Sequence, residues 1–191
     1  HTHADNNNTV NYQLPIGEHK VDINPVIGQK VSLDFTGDIN CVHCNRKTKK
    51  SFSQGYCYPC LISLAQCDSC IIKPEKCHYH EGTCREPQWG EEHCFSEHFV
   101  YLANTGNVKV GITRHVTDGV SSRWMDQGAT QATVMLRVTD RLTSGLVEML
   151  CKEHIGDKTN WRTMLKSAPD QVDLLELKAT ILSKIADGLA E

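Results

Sequence analysis

The hydrophobic and polar positions alternate in the first part of the chain. Lys20–Ile23 and Lys30–Phe35 each switch between polar and apolar residues, which is the pattern of half-buried strands. Turn-forming sequences follow each of them, at Asn24–Pro25 and at Thr36–Asp38. The pattern therefore predicts a small β segment within residues 1–40, before the first cysteine.

After Cys94 the apolar pattern predicts five elements in the order strand, strand, helix, strand and helix. These elements are Phe99–Ala103, Val108–Ile112, a short helix that ends near Gln127, Thr133–Val138 and Ser144–His154. The last stretch, Ala168–Glu191, has apolar residues at helical spacing after the start signal Pro169–Asp170. It predicts an amphipathic C-terminal helix that either packs against the preceding domain or mediates dimerisation.

Nine of the ten cysteines lie between Cys41 and Cys94. Cys41-Val-His-Cys44 and Cys57-Tyr-Pro-Cys60 are two Cys-x-x-Cys pairs separated by twelve residues, which is the ligand spacing of a zinc ribbon. Four thiolates surround zinc tetrahedrally and leave no position for water, so such a site is structural. We predict a zinc ribbon with these four ligands.

A second group of cysteines follows immediately. Cys67-Asp-Ser-Cys70 is another Cys-x-x-Cys pair, and together with Cys77 and Cys84 it predicts a second closed zinc site. One other cysteine and three interleaved histidines remain alternatives to the last two ligands: Cys94, His78, His80 and His93. The competing interpretation is a set of disulfides in a secreted protein, but paired spacing favours metal ligands.

Composition narrows the function classes. With 39% hydrophobic and 23% charged residues and a net charge of −3, the chain has the composition of a soluble globular protein without general affinity for polyanions. It contains no apolar run of membrane-spanning length, so we expect no membrane partner. Thiols that bind zinc have to stay reduced, which favours a cytoplasmic location. The oligomeric state does not follow from the sequence.

The predicted hairpin of the zinc ribbon combines positive charge with aromatic rings. Its residues are Arg46, Lys47, Lys49, Lys50, Phe52, Tyr56 and Tyr58. Basic residues neutralise phosphates and rings stack on bases, so this segment is a candidate nucleic-acid contact. The alternative is a solvated hairpin tip whose rings cover the metal site.

Three segments resemble the GIY-YIG nuclease family: Val100-Tyr101-Leu102, Lys109–Thr113 and Arg123. In that family a strand supplies a tyrosine, a second motif supplies an adjacent tyrosine and glycine, and an arginine follows on the first helix. A glutamate on a later helix holds a divalent metal, and an asparagine lies beyond it. The resemblance extends over about Phe99–Leu165.

The resemblance implies roles for five residues: Tyr101, Lys109, Arg123, Glu148 and Asn160. Glu148 would bind one Mg²⁺ or Mn²⁺, Tyr101 would orient or deprotonate the attacking water, and Arg123 would hold a phosphate oxygen. Asn160 corresponds to the family's asparagine. Lys109 stands where the second motif normally has its tyrosine, and Phe99 replaces the glycine of the first motif. These departures weaken the expectation of full activity.

The longer stretch from about Gly28 to Lys166 resembles an uncharacterised family of bacterial zinc-ribbon proteins. The shared segments are Phe52–Cys60, Cys77–His78, Gly82–Pro87, Val108–Arg114, Asp126–Ala129 and Lys158–Arg162. This resemblance implies no particular activity. Members of the family are longer at the C-terminus, so we expect this sequence to be a fragment.

Together these patterns predict an α+β protein in four parts. Residues 1–40 form a tail and β segment, 41–97 a double zinc-binding region, 98–166 a GIY-YIG-like α/β domain and 167–191 the C-terminal helix. The expected function is divalent-metal-dependent endonuclease action on nucleic acid. The alternatives are a non-catalytic nucleic-acid-binding protein and a zinc-dependent module that binds a protein partner.

Overall fold

The computed structural model describes residues 1–5, 9–156, 161–165 and 169–190. Within these ranges the strands are β1 Thr2–Ala4, β2 Val10–Ile16, β3 His19–Asp22, β4 His98–Asn104, β5 Val108–Thr113 and β6 Gln131–Val138. The α-helices are α1 Tyr58–Ser63, α2 Ser69–Ile72, α3 Pro87–Cys94, α4 Ser122–Asp126, α5 Arg141–Lys152, α6 Trp161–Met164 and α7 Leu174–Ala190. The predicted mixed α+β class is confirmed.

The chain divides into two compact units. We call the first the sheet unit; it comprises His1–Val31, His98–Val138 and Val147–Glu191. We call the second the cysteine unit; it comprises Ser32–Glu97 and Thr139–Leu146.

The main sheet of the sheet unit is antiparallel, with strand order β5-β4-β6. The central strand β4 pairs with β5 so that Tyr101 lies opposite Gly111 and Ala103 opposite Lys109. A register irregularity between Val100 and Tyr101 interrupts its pairing with β6. Because β4 has a neighbour on both edges, its backbone hydrogen-bonding groups are satisfied within the sheet.

Alternate residues of β4 belong to different hydrophobic clusters. Val100 and Leu102 pack with Val147, Cys151 and other buried residues from α5 and α7. Tyr101 and Ala103 belong to another cluster. This separation follows from the two-residue period of a strand, which directs successive side chains to opposite faces of a sheet.

Helix α7 packs against the cluster that contains Val100 and Leu102. It buries Leu174, Ile181 and Ile185, and each such burial is worth about 1.5–3 kcal/mol relative to exposure. The helix begins later than the predicted start signal at Pro169–Asp170. Asp173 Oδ1 accepts the backbone N–H groups of two first-turn residues, at 3.0 and 2.9 Å, and so acts as the N-terminal cap.

The first 31 residues also contain a small antiparallel sheet, with strand order β1-β2-β3. The predicted strand at Lys20–Ile23 corresponds to β3. The predicted strand at Lys30–Phe35 is wrong, because these residues have no regular secondary structure. Leu33 and Phe35 are 86% and 74% exposed, so the alternating pattern there is not accompanied by burial of its apolar residues.

The cysteine unit consists of short helices and turns around its cysteines. Two 3₁₀ turns, Pro74–Lys76 and Tyr79–Glu81, precede α3 in this unit. One cluster of buried residues in this unit consists of Cys41, Cys57 and Cys60, with apolar neighbours packed against it. No helix among the described residues is long and apolar enough to cross a membrane.

Gly145, in the first half of α5, allows close packing within the cysteine unit. A Cβ atom at this position would lie 2.6 Å from the backbone nitrogen of Glu75 and 2.7 Å from Pro74 Cβ. We predict that Gly145→Ala lowers the stability by about 1–3 kcal/mol through overpacking, although alanine favours helices. The thermal unfolding midpoint of the zinc-loaded protein measures this effect.

Gly156→Ala is the matched control, because a Cβ atom there has nothing within 4 Å. Its midpoint should stay close to that of the parent. An unchanged or higher midpoint for Gly145→Ala would contradict the prediction and show that Pro74 and Glu75 can move to accommodate a methyl group at little energetic cost.

Candidate metal centres and active site

The first candidate metal centre consists of Cys41, Cys44, Cys57 and Cys60. Their sulfur atoms all lie within 4.8 Å of one another, and the Cys44 and Cys57 sulfurs are 3.7 Å apart. Tetrahedral zinc with Zn–S bonds of about 2.3 Å places its sulfurs about 3.8 Å apart. The donor set and its spacing therefore fit a zinc ion, as the sequence predicted.

Local backbone structure brings these four thiols together. The Cys41 N–H donates to the Arg46 carbonyl and the Asn45 N–H donates to the Cys41 carbonyl, both at 2.9 Å, which closes the first knuckle. Asn45 has a φ of 56°, a left-handed conformation that asparagine tolerates better than most residues. In the second knuckle, Cys57 is the N-cap residue of α1 and Cys60 lies in its first turn.

The surroundings of the first centre favour a cation. Burial acts to raise the pKa of the Cys41 thiol, but backbone hydrogen bonds from Cys44, Cys57 and His43 outweigh it and lower that pKa to about 5. Burial raises the pKa of Cys60. A zinc ion replaces the thiol protons with one shared positive centre, which removes the cost of burying several thiolates together.

The second cysteine group surrounds a cavity of about 20 Å³. Three of the predicted ligands line it, Cys70, Cys77 and Cys84, and Cys94 lies beside them. Asp68, Cys70 and His78 also have potential ligand atoms within 4.8 Å of one another. The cysteine unit therefore contains a second place where an ion has several potential donors.

Cys67, the fourth predicted ligand, is not among the residues that line this cavity. Burial raises its pKa, and among the charges that act on it are those of Arg85 and Cys41, the latter from the first centre. His80 lines a different hollow, and His93 Nδ1 lies 2.9 Å from the Trp89 carbonyl oxygen. The predicted second ligand set remains a prediction.

Tyr101 is the centre of the candidate active site in the sheet unit. It is only 1% exposed, its ring lies 5.7 Å from that of Trp124, and Gln127 Nε2 donates to its hydroxyl at 2.8 Å. A Cβ atom on Gly111 would lie 2.7 Å from the Tyr101 hydroxyl oxygen. The position opposite Tyr101 therefore requires glycine, because any side chain would displace the phenol.

Two predicted residues act electrostatically on this phenol. Burial raises the pKa of Tyr101; the Arg123 guanidinium lowers that pKa and the Glu148 carboxylate raises it further. Tyr101 belongs to β4, Arg123 to α4 and Glu148 to α5, so three elements bring these groups close together. Lys109, in β5, is 8% exposed and lies opposite Ala103 of β4. Because Lys109 and Gly111 are two residues apart in one strand, they share a sheet face.

Lys152 is a further residue of this site that was not among the five predicted ones. Its Nζ lies 3.3 Å from Glu148 Oε2, and the Glu148 side chain is 13% exposed. This ion pair could have been predicted from the sequence, because a Glu and a Lys four residues apart on a helix face each other. Asn160, the fifth predicted residue, lies outside the described residues.

We predict that Cys57→Ser removes one zinc ion and unfolds the ribbon, because structural zinc binding supplies much of the folding free energy of such a site. Elemental analysis of protein purified under reducing conditions measures the zinc content. His43→Ala is the control, since this residue is exposed inside the same knuckle and should keep the ion. Parent protein without zinc and with fully oxidised cysteines would contradict the prediction and favour disulfides.

Comparison with known proteins identifies a family but no activity. No curated protein matches the chain significantly, and neither does any solved structure. A family model described as "Protein of unknown function (DUF2797)" matches residues 28–191, which include all ten cysteines and the main sheet. The chain therefore belongs to the DUF2797 family.

Proposed function

We propose that this protein binds nucleic acid and hydrolyses its phosphodiester bonds with the help of Mg²⁺ or Mn²⁺, using a GIY-YIG-like site in the sheet unit. The observation that carries the proposal is that Arg123 and Glu148, which are distant from Tyr101 in sequence, lie close enough for their charges to shift the pKa of its hydroxyl. The order of β4, β5, α4, β6 and α5 supports it, because Tyr101 lies on a strand, Arg123 on the next helix and Glu148 on a later helix, as the resemblance implies. A phenol, a guanidinium and a carboxylate are suited to a phosphate and a bridging metal.

Tyr101 orients the attacking water in this proposal. Burial raises the pKa of its hydroxyl, so the phenol stays protonated near neutral pH. Its oxygen accepts a hydrogen bond from Gln127, and its own O–H group could donate to a water or a phosphate oxygen that enters the site. Because Tyr101 is only 1% exposed, such entry requires the site to open. The environment therefore favours orientation of the water over its deprotonation by this residue.

Glu148 is the proposed metal ligand. Carboxylate oxygen is a preferred donor for Mg²⁺ and Mn²⁺, and the ion would polarise the scissile phosphate and neutralise charge on the leaving oxygen. The contact with Lys152 means that a metal has to compete with an ammonium group for the same carboxylate. A phosphate bound nearby would help, because it attracts both the metal and the lysine.

Arg123 and Lys109 supply positive charge. Arg123 would hold a phosphate oxygen, and its guanidinium offers several N–H donors in a fixed plane. Lys109 replaces the second-motif tyrosine with a buried cation, and in a partly water-excluded site such a charge attracts a phosphate more strongly than in water. The substitution removes a hydroxyl, so any chemistry that needs two phenols is lost.

Two observations favour a non-catalytic nucleic-acid-binding protein as the second candidate. Lys109 stands at a motif position normally occupied by tyrosine, and Glu148 already has an ion-pair partner in Lys152. In that case the site would bind a phosphate group without hydrolysing it. The cleavage experiment below distinguishes the two candidates.

The zinc ribbon supplies the proposed nucleic-acid contact in the cysteine unit. Its four basic residues are all exposed: Arg46, Lys47, Lys49 and Lys50. Lys50 Nζ lies 5.1 Å from the centre of the Phe52 ring, which is 5.7 Å from that of Tyr58. The Lys47–Asp38 pair, at 2.5 Å, is largely exposed and costs little to break. We place the protein in the cytoplasm, where thiols remain reduced.

We predict that Glu148→Gln lowers Mg²⁺-dependent cleavage by roughly 100-fold or more, because it removes the charge that holds the metal but keeps the side-chain size. The assay uses branched, single-stranded and duplex DNA and RNA, with Mg²⁺, Mn²⁺ or chelator. Glu153→Ala is the control, since Glu153 is exposed just beyond α5.

The outcomes of this assay are distinct. Cleavage that survives Glu148→Gln would mean that the metal is held elsewhere. Binding without cleavage by the parent protein, on every substrate and with both metals, would favour the non-catalytic candidate. Absence of both binding and cleavage would overturn the proposed function.

The proposed role of the ribbon predicts a steep salt dependence of nucleic-acid binding. Replacing three lysines with glutamine should make the slope of log K against log salt shallower by about 1 for each phosphate that the variant no longer neutralises. The variant changes Lys47, Lys49 and Lys50. The control variant makes the same change in charge at three exposed lysines elsewhere, Lys20, Lys30 and Lys184. Equal slopes for the two variants would show that the ribbon lysines are solvated and do not contact the nucleic acid.

A further inference from the structure

The small cavity in the cysteine unit has the size and lining of an ion site. Its volume is about 20 Å³, which is enough to hold one water molecule or one small ion. The cysteines that line it are Cys70, Cys77, Cys84 and Cys94. These four sulfur donors match a closed zinc site in number and type, but Cys77, Cys84 and Cys94 do not all lie within 4.8 Å of one another, so a bound ion would have to draw them together.

Helix α3 brings Cys94 to this cavity. Gly90 and Cys94 are four residues apart, so they lie on the same face of the helix. A Cβ atom on Gly90 would lie 3.5 Å from Cys84 Sγ, which shows that this face packs against Cys84. The Cys94 side chain therefore approaches the cavity from the helix, opposite the loop that carries Cys84.

The charges around the cavity suit a zinc ion with four thiolates, which has two net negative charges. Arg85 also lines the cavity and supplies a positive charge there, which the neighbouring Asp68 carboxylate offsets in part. Arg85 Nε is held 2.8 Å from Asp68 Oδ2, which fixes the position of the guanidinium. Such surrounding groups orient and stabilise a metal site without binding the metal.

Asp68 and His78 already have other partners. Asp68 Oδ1 accepts the Ser69 N–H at 2.5 Å, and its Oδ2 is paired with Arg85. His78 Nδ1 is 2.8 Å from Thr83 Oγ1, and its Nε2 is 3.4 Å from Asp68 Oδ2. Because both residues already have hydrogen-bond or ion-pair partners, whereas four thiols line the cavity, we assign the thiols rather than these two residues as the direct ligands.

Cys67 is excluded by the way α2 begins. In the first centre Cys57 is itself the cap of α1, and its partner Cys60 follows in the first turn. At α2 the cap is Asp68, so Cys67 precedes the helix and lies in the 3₁₀ turn Ala65–Cys67. Cys67 is also absent from the residues that line the cavity, so the start of α2 and the cavity lining both argue against it as a ligand.

We propose that Cys70, Cys77, Cys84 and Cys94 bind a second structural zinc ion, and that Cys67 is not a ligand. The inference is independent of the proposed nuclease activity, because it depends only on the cysteine unit. Each chain then holds two zinc ions in two closed sites, and Cys67 remains a thiol close to the first one.

Zinc content and two matched serine variants test the proposal. Protein of the full chain is purified without oxygen, and the zinc bound per chain is measured by native mass spectrometry. Cys94→Ser should lower the content from about two ions to about one, whereas Cys67→Ser should keep both. Loss of an ion from Cys67→Ser with retention of both in Cys94→Ser would overturn the assignment.

A measurement on the unmodified protein covers the case in which a variant does not fold. The zinc-loaded chain is treated briefly with N-ethylmaleimide, with and without prior chelation, and the modified cysteines are identified by mass spectrometry. Cys94 should be protected by zinc and react after chelation, and chelation should change Cys67 less. A Cys94 that reacts equally in both states would overturn the proposal.

Discussion

The cysteine unit is held together around buried cysteine side chains and has little hydrocarbon core near its first metal centre. Its first cluster of buried residues consists of three cysteines, with Tyr56 and Leu64 packed against them. So small an apolar cluster cannot offset the conformational entropy of ordering the surrounding chain. Coordination of a metal ion by the four thiolates would supply the missing stabilisation, in addition to the backbone hydrogen bonds that form the knuckles.

The sheet unit follows a different principle, because its central strand is buried on both faces. One face belongs to the core that α5 and α7 complete, while the other carries the phenol of Tyr101 next to Trp124. The core fixes β4, and β4 in turn holds the phenol against the bare backbone of Gly111. The candidate site therefore depends on rigid elements, and packing on one face determines the chemistry available on the other.

Sequence reasoning succeeds where a pattern has a single physical cause. The strands β4, β5 and β6 follow from their alternation, and the first zinc centre from two Cys-x-x-Cys pairs. It fails where the pattern has two explanations. Lys30–Phe35 alternates like a strand without burying its apolar residues.

The details of the candidate active site lay beyond the sequence for another reason. The need for glycine at position 111 arises from the phenol across the strand pair, and the Gln127 hydrogen bond from the meeting of α4 with β4. Neither contact is local in the chain, so no periodic pattern encodes it. The Glu148–Lys152 pair is local and was accessible through its helical spacing.

The position of the thiols along the chain has a consequence for the order of folding. Both cysteine clusters are contained in Cys41–Cys94, whereas the sheet unit is assembled from three separate stretches, the last of which extends to the end of the chain. During synthesis the N-terminal portion leaves the ribosome first, at about 5–20 residues per second. The cysteine segment can thus capture its metal while the strands of the main sheet are still being made. Zinc supply in the cell would then act on the nascent chain, seconds before the candidate active site exists.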